Sequence, residues 1–176
     1  MRISSDTFAQ DAATPEIAID ANGDAHVVYV HKNTDDVGFP IDAKRNIYYI
    51  NNIGGSWSAP TSVSDDAFAQ DALTNPDIAI DSNGEAHVVY LHKDTDGLNL
   101  PDDGKKNIYY ATNSGGSWSS PVRLSDDAFS QDAIENPSIA IDINDAPHVV
   151  YAHKNGALDT DINIYYTEKT SGSWST

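Results

Sequence analysis

Three tandem copies of one unit constrain this chain more than any other feature. Ile17-Ala18-Ile19-Asp20 returns as Ile78-Ala79-Ile80-Asp81 and Ile139-Ala140-Ile141-Asp142, each copy 61 residues after the last. Ala25-His26-Val27-Val28-Tyr29 returns at the same spacing as Ala86-His87-Val88-Val89-Tyr90 and Pro147-His148-Val149-Val150-Tyr151. Asn46-Ile47-Tyr48-Tyr49 recurs from Asn107 and from Asn163, and each unit closes on Gly-Ser-Trp-Ser around Trp57, Trp118 and Trp174. A repeat of this kind is a supersecondary unit that buries its apolar surface only against its neighbours.

Each unit holds four short β-branched or aromatic runs separated by turn residues, the pattern of strands. In the first unit they are A (17–20), B (25–31), C (46–51) and D (57–64). Asn22-Gly23 and Asn83-Gly84 stand between A and B, the pair favoured in a two-residue type I′ hairpin; the third copy has Asn144-Asp145. Gly54-Gly55, Gly115-Gly116 and Ser171-Gly172 stand between C and D. No segment has helical periodicity. Four antiparallel strands per unit, repeated with an aromatic in each, predict an all-β chain: a β-propeller of four-stranded antiparallel blades, three blades per chain. The blades span about 15–64, 76–125 and 137–176 as one segment.

Composition narrows the partners. A formal net charge of -17 argues against nucleic acid, which needs clustered Lys and Arg, and against anionic membrane surfaces. Of the 27 acidic residues only Glu16, Glu85, Glu135 and Glu168 are Glu; the Asp excess belongs to turns and suits divalent cations or a salty setting. There is no apolar run near the ~20 residues of a membrane helix, and no apolar h-region follows Met1. Cysteine is absent, which excludes disulfide and thiolate chemistry and leaves the compartment open.

The units resemble the BNR, or Asp-box, repeats of sialidase-like propellers, whose box reads approximately Ser-x-Asp-x-Gly-x-Thr-Trp between the third and fourth strands. Ala111-Thr112-Asn113-Ser114-Gly115-Gly116-Ser117-Trp118 follows it, with Ala for Ser, Asn for Asp and Ser for Thr. Residues 50–57 are a similar relaxed match, and residues 167–174 a poorer one, with Lys169 and Ser171 at the Asp and Gly positions. The resemblance covers essentially the whole chain. It implies a fold-stabilising box on the face opposite the ligand site, and it is compatible with secretion.

Arg2-Ile3-Ser4 with Phe8-Ala9-Gln10-Asp11 matches the segment from Arg123 to Asp132, so residues 1–5 are in the register of a strand D. Three blades are too few to close a ring, since propellers usually have about 4–8. The expectation is a six-bladed head-to-tail homodimer in which residues 1–5 supply strand D of the other copy's last blade. The competing reading is that the three units belong to a longer propeller.

In the family resembled, ligands sit on the face where the D-to-A and B-to-C connections emerge. The B-to-C loops run from Lys32 to Arg45, Lys93 to Lys106 and Lys154 to Ile162, with the last one shorter. Loops this long are commonly functional. His31, His92 and His153 end strand B on that face, followed by Lys32, Lys93 and Lys154, while Asp65, Asp66, Asp126 and Asp127 lie in the D-to-A connections. These ten are the candidate ligand-binding residues, with carbohydrate as the candidate ligand; a solvated polar rim, with the histidines packing between blades, is the alternative.

A shared metal site from the three histidines fails on geometry, because strands B of different blades stand too far apart for ~2.1 Å ligand bonds. Calcium could use the loop oxygens, but residues 20–24 lack the spacing and the Glu of an EF-hand. No other cofactor is implied. The resemblance to sialidases implies an arginine triad, a Tyr nucleophile with a Glu partner, and an Asp acid. Only Arg2, Arg45 and Arg123 are present, Arg2 and Arg123 are repeat equivalents, and no asymmetric acid–base pair stands out. A non-catalytic binding or assembly module is therefore expected, with a glycan-processing enzyme as the alternative.

Overall fold

The computed structural model describes residue 3 and residues 12–32, 45–64, 72–93, 106–125, 133–154 and 161–175. They form three four-stranded antiparallel sheets, each a meander in chain order. The first contains β1 (Ala12–Ile19), β2 (Ala25–Lys32), β3 (Arg45–Asn51) and β4 (Thr61–Ser62). The second contains β5 (Ala72–Ile80), β6 (Ala86–Lys93), β7 (Lys106–Thr112) and β8 (Val122–Arg123). The third contains β9 (Ala133–Ile141), β10 (Pro147–Lys154), β11 (Ile162–Thr170) and β12 (Ser173–Trp174). These are the three blades.

Both faces of the middle strands are apolar because blades stack face to face. Val28, Val30, Ile47 and Tyr49 of the first blade pack against Ile78, Val88, Tyr90 and Tyr109 of the second. Val89, Leu91, Ile108 and Tyr110 on the second blade's far face pack against Ile139, Val149 and Tyr151 of the third. Trp118 and Trp174 each reach back one blade: Trp118 meets Tyr49 edge-on at 5.3 Å, and Trp174 meets Tyr110 at 4.9 Å. Such edge-to-face pairs add about 0.5–1.5 kcal/mol beyond burial.

Strand A begins about five residues earlier than its apolar run suggests. Thr14, Asn75 and Asn136 have φ of 46°, 55° and 51°, each stands immediately before a proline, and the register with strand B shifts there. A bulge absorbs the proline, which has no N–H to give to the ladder, so the strand continues on its other side. Strand D is shorter than expected, with only Thr61–Ser62 and Val122–Arg123 pairing with strand C. Pro60 and Pro121 stand just before these pairs and cannot donate to the ladder.

The A-to-B turn is not the expected two-residue type I′ hairpin. Gly23 N–H bonds to Asp20 C=O at 3.1 Å, and of the turn residues only Gly23 has positive φ. This is a type I turn followed by a left-handed residue. The Asp20 carboxylate selects it by accepting the N–H groups of Asn22 and Asp24, both at 2.9 Å. The type I′ geometry occurs instead between β11 and β12, where Ser171 and Gly172 have φ of 53° and 85°.

The row of blades is open on the third blade's outer face and, on the first blade, along β1 only, since Val27, Tyr29, Tyr48 and Ile50 of that outer face are buried with Ile3 and Trp57 against them. Ile164 on the third blade is 74% exposed, whereas its equivalents Ile47 and Ile108 are fully buried. Tyr166 is 55% exposed, against 4% for Tyr49 and 2% for Tyr110. At the other end Ile17 is 62% exposed, against 6% for Ile78 and 8% for Ile139. Ile3 packs with Trp57 on the outer face of the first blade. That is the relation of Val63 to the second blade and of Leu124 to the third.

Candidate functional site

The antiparallel meander sends the B-to-C and D-to-A connections to one end of the blades and the two short turns to the other. Asp65, Asp66, Asp126 and Asp127 lie outside the described residues. Lys32 and Lys93 end β2 and β6, and Lys154 ends β10 half-buried.

His31, His92 and His153 are all buried. Each is held edge-on by one tyrosine of its own strand and one of strand C. His31 lies 6.4 Å from the Tyr29 ring and 5.6 Å from Tyr48; His92 meets Tyr90 and Tyr109 at 6.5 and 5.5 Å; His153 meets Tyr151 and Tyr165 at 6.4 and 5.8 Å. The alternation of a strand explains this, since Tyr29 and His31 are two residues apart and share a face. These rings pack the blades near the end from which the B-to-C connections leave. Among the described residues no group of three His, Asp or Glu could hold a metal ion.

At the opposite end the first histidine of each strand B belongs to a repeated Asp–His–Tyr set. His26 Nδ1 lies 2.6 Å from the Tyr49 hydroxyl, His87 Nδ1 2.7 Å from Tyr110 and His148 Nδ1 2.6 Å from Tyr166. Their Nε2 atoms face Asp20, Asp81 and Asp142 at 3.7, 3.5 and 3.7 Å. Sequence reasoning placed the histidines beside this turn but missed their partners, because strand pairing rather than proximity in sequence joins residues 26 and 49. The repetition of Asp, His and Tyr at fixed positions in every unit was the available signal.

The electrostatics suit a cross-link. Burial lowers the pKa of His87 and outweighs the opposing pull of Asp81, favouring the neutral ring. Burial pushes the Tyr110 hydroxyl up to about 12, so it stays protonated. Lost hydration raises the Asp81 carboxyl, but hydrogen bonds from Glu85 and Asn83 prevail and hold it below the ordinary carboxylate range. Asn113 in the C-to-D turn completes this end: it accepts the Ala86 N–H at 2.6 Å and returns its own N–H to Ala86 C=O at 3.1 Å. This pair ties the C-to-D turn to the start of strand B.

The bulges of the three inner strands line an open depression of about 460 Å³ whose polar groups come from Thr14, Glu16, Asn75, Asp77, Asn136 and Ser138. Asn75 donates its side-chain amide to Asn136 across two blades. Asp77 accepts the Ser138 hydroxyl at 2.9 Å and the Ile139 N–H at 2.8 Å. Among the described residues no basic side chain lines this depression. Its hydroxyl, carboxamide and carboxylate groups suit neutral or cationic hydrogen-bond donors and repel anions.

No protein-family model matches the chain, and no curated protein sequence matches it. Solved structures do. A protein of unknown function from Dyadobacter fermentans is 12% identical with a TM-score of 0.64, over 94% of this chain and 54% of that one. A Hadza microbial sialidase is also 12% identical, with a TM-score of 0.63 over 93% of this chain and 36% of that one. A polysaccharide lyase is 16% identical with a TM-score of 0.50, over 90% of this chain and 38% of that one. The chain thus spans about half, or less, of each of these three structures. At these identities the likeness is one of fold, an all-β arrangement of propeller blades.

Proposed function

We propose that this chain is a non-catalytic binding and assembly module of the BNR, or Asp-box, type, working as a six-bladed ring made by two copies joined head to tail. One observation carries the reading: side chains of strands B and C that are buried at the internal blade junctions are exposed on the third blade, and the strand A isoleucines buried there are exposed on the first. Stacking the third blade of one copy on the first blade of another covers Val150, Ile164 and Tyr166 with Ile17, Ile19 and Trp57, the contacts already made inside the chain. The position of Ile3 on the outer face of the first blade supports residues 1–5 as strand D of the other copy's last blade.

Carbohydrate is the ligand class this ring suits. The similar folds of a sialidase and a polysaccharide lyase support it. The acid- and amide-lined depression favours neutral sugar hydroxyls over carboxylate-bearing sugars. The binding residues proposed are those at the loop end, Lys32, Lys93 and Lys154 with the loop aspartates, while His31, His92 and His153, buried against tyrosines, support that end rather than touch the ligand. Solution mass tests the assembly: light scattering gives about twice the 19.0 kDa chain, and a monomer at micromolar concentration overturns the ring. A glycan array tests the ligand: neutral glycans are retained above sialylated ones, and an empty array removes the carbohydrate reading.

A further inference from the structure

We infer that the seam of the two-copy ring is keyed at its A-to-B turns, with Ile143 of one copy seated on Gly23 of the other. This rests on the two-copy reading above and adds the residues that set the register of closure.

The internal junctions show which turn positions meet. Between the second and third blades, Ser82 donates its N–H to Asp145 Oδ1 at 2.8 Å and its hydroxyl to Asp145 Oδ2 at 2.7 Å. Between the first and second blades the same positions are Ala21 and Gly84, and a Cβ placed on Gly84 meets the Asp20 carboxylate at 4.0 Å. At the second junction the first turn residue of one blade thus bonds the third turn residue of the next, and at the first junction that third residue, Gly84, lies beside Asp20, the neighbour of Ala21. Carried to the seam, this pattern brings together Ile143 and Gly23.

These two residues fit each other and little else in the chain. Ile143 is 97% exposed, an apolar β-branched side chain at a turn where its equivalents are Ala21 and Ser82. A Cβ added to Gly23 would meet nothing within 4 Å. A partner without a side chain leaves room for the larger one, and covering Ile143 removes apolar surface from water. The Ser82–Asp145 hydrogen bonds, by contrast, need a polar group on each side. The first, second and seam junctions thus carry three different pairs, which distinguishes the ends of the row from its interior. Because the seam is heterologous, it makes a closed ring only when the rotation completes, and two three-bladed copies satisfy that at six blades.

The absence of cysteine makes the test direct. A double variant, Ile143→Cys with Gly23→Cys, is treated with a short bismaleimide and compared with Ser82→Cys with Asp145→Cys as an internal control. Gly23 stands at φ 86°, where a side chain costs strain, but it has open space around it and Asp145 carries a side chain at the equivalent position with φ 61°. The seam pair is expected to yield a covalent species of twice the chain mass with no ladder above it, while the control cross-links within one chain. A light-scattering dimer whose seam pair fails to cross-link while the control does overturns the seam and leaves the ring standing. A monomer overturns both, and a ladder overturns closure at two copies. Ile143→Ser supplies a second readout: about tenfold weaker association per seam, hence about a hundredfold on the dimer dissociation constant, by loss of the buried side chain. An unchanged constant also overturns the keyed seam.

Discussion

Tyr110 has one hydroxyl proton, and the charge around His87 decides where it goes. Asp81 beside Nε2 keeps the ring proton on that nitrogen, so Nδ1 accepts and Tyr110 donates. Tyr110→Phe then leaves a buried ring nitrogen without its donor. The expected cost is about 1–3 kcal/mol in urea denaturation at fixed chain concentration, the range for an orphaned buried polar group. The same residue sets a pH dependence. The folded chain refuses a proton that unfolded His87 accepts near 6.5, so stability is complete above that pH and declines as pH falls toward the lowered folded value. Asp81, also depressed, adds a second loss only below about 3.8. Urea midpoints between pH 7.5 and 5 should fall for the native chain and flatten for His87→Asn. An equal slope in both would assign the loss to another group.

Turns and strands show how much of the fold is legible from side-chain pattern. Strands B and C are readable because Val-Val-Tyr and Ile-Tyr-Tyr leave little choice but a doubly covered sheet. The start of strand A is hidden: a proline reads as a stop, and only a left-handed Thr14, Asn75 or Asn136 before it carries the chain through. The A-to-B turn misled for a different reason. Asn22-Gly23 has type I′ chemistry, but Asp20 two residues earlier captures the backbone N–H groups and imposes another turn. Of the candidate site, the recurrence of the histidines was plain, while their tyrosine neighbours depend on strand register and were not. The type I′ turn at Ser171-Gly172 yields a prediction at this scale. Serine at φ 53° is strained where asparagine is tolerated. Ser171→Asn should raise the melting temperature, by up to about 1 kcal/mol in stability. A lower one would show that the serine side chain holds the turn by a contact of its own.

For the whole molecule, the proposed ring requires one end of the row to stack on the other, and charge opposes their meeting. Ile164 lies in the open on the third blade, so Ile164→Asp should leave the single chain folded while blocking the stack; the expected result is an unchanged far-UV spectrum and a mass near 19.0 kDa. An internal counterpart, Ile108→Asp, puts the same charge where nothing is exposed, and the chain should fail to fold. The pair separates a closure surface from a core. Electrostatics supplies the last test. Each copy would bring a formal charge of -17 to the proposed seam, whose exposed central side chains, Ile164, Tyr166 and Ile17, are apolar or aromatic. Two such copies repel over the Debye length, about 30 Å at 0.01 M salt and about 8 Å at 0.15 M. Apolar burial depends on salt far less than this repulsion does over that range. Raising salt from 0.01 to 0.15 M should therefore tighten the dimer, the reverse of what an interface held by opposite charges shows. Sedimentation equilibrium across that range reads the sign directly. Weaker association with salt would mean that the acidic surface is matched by basic groups at the seam, and the apolar stack would no longer explain how the ring closes.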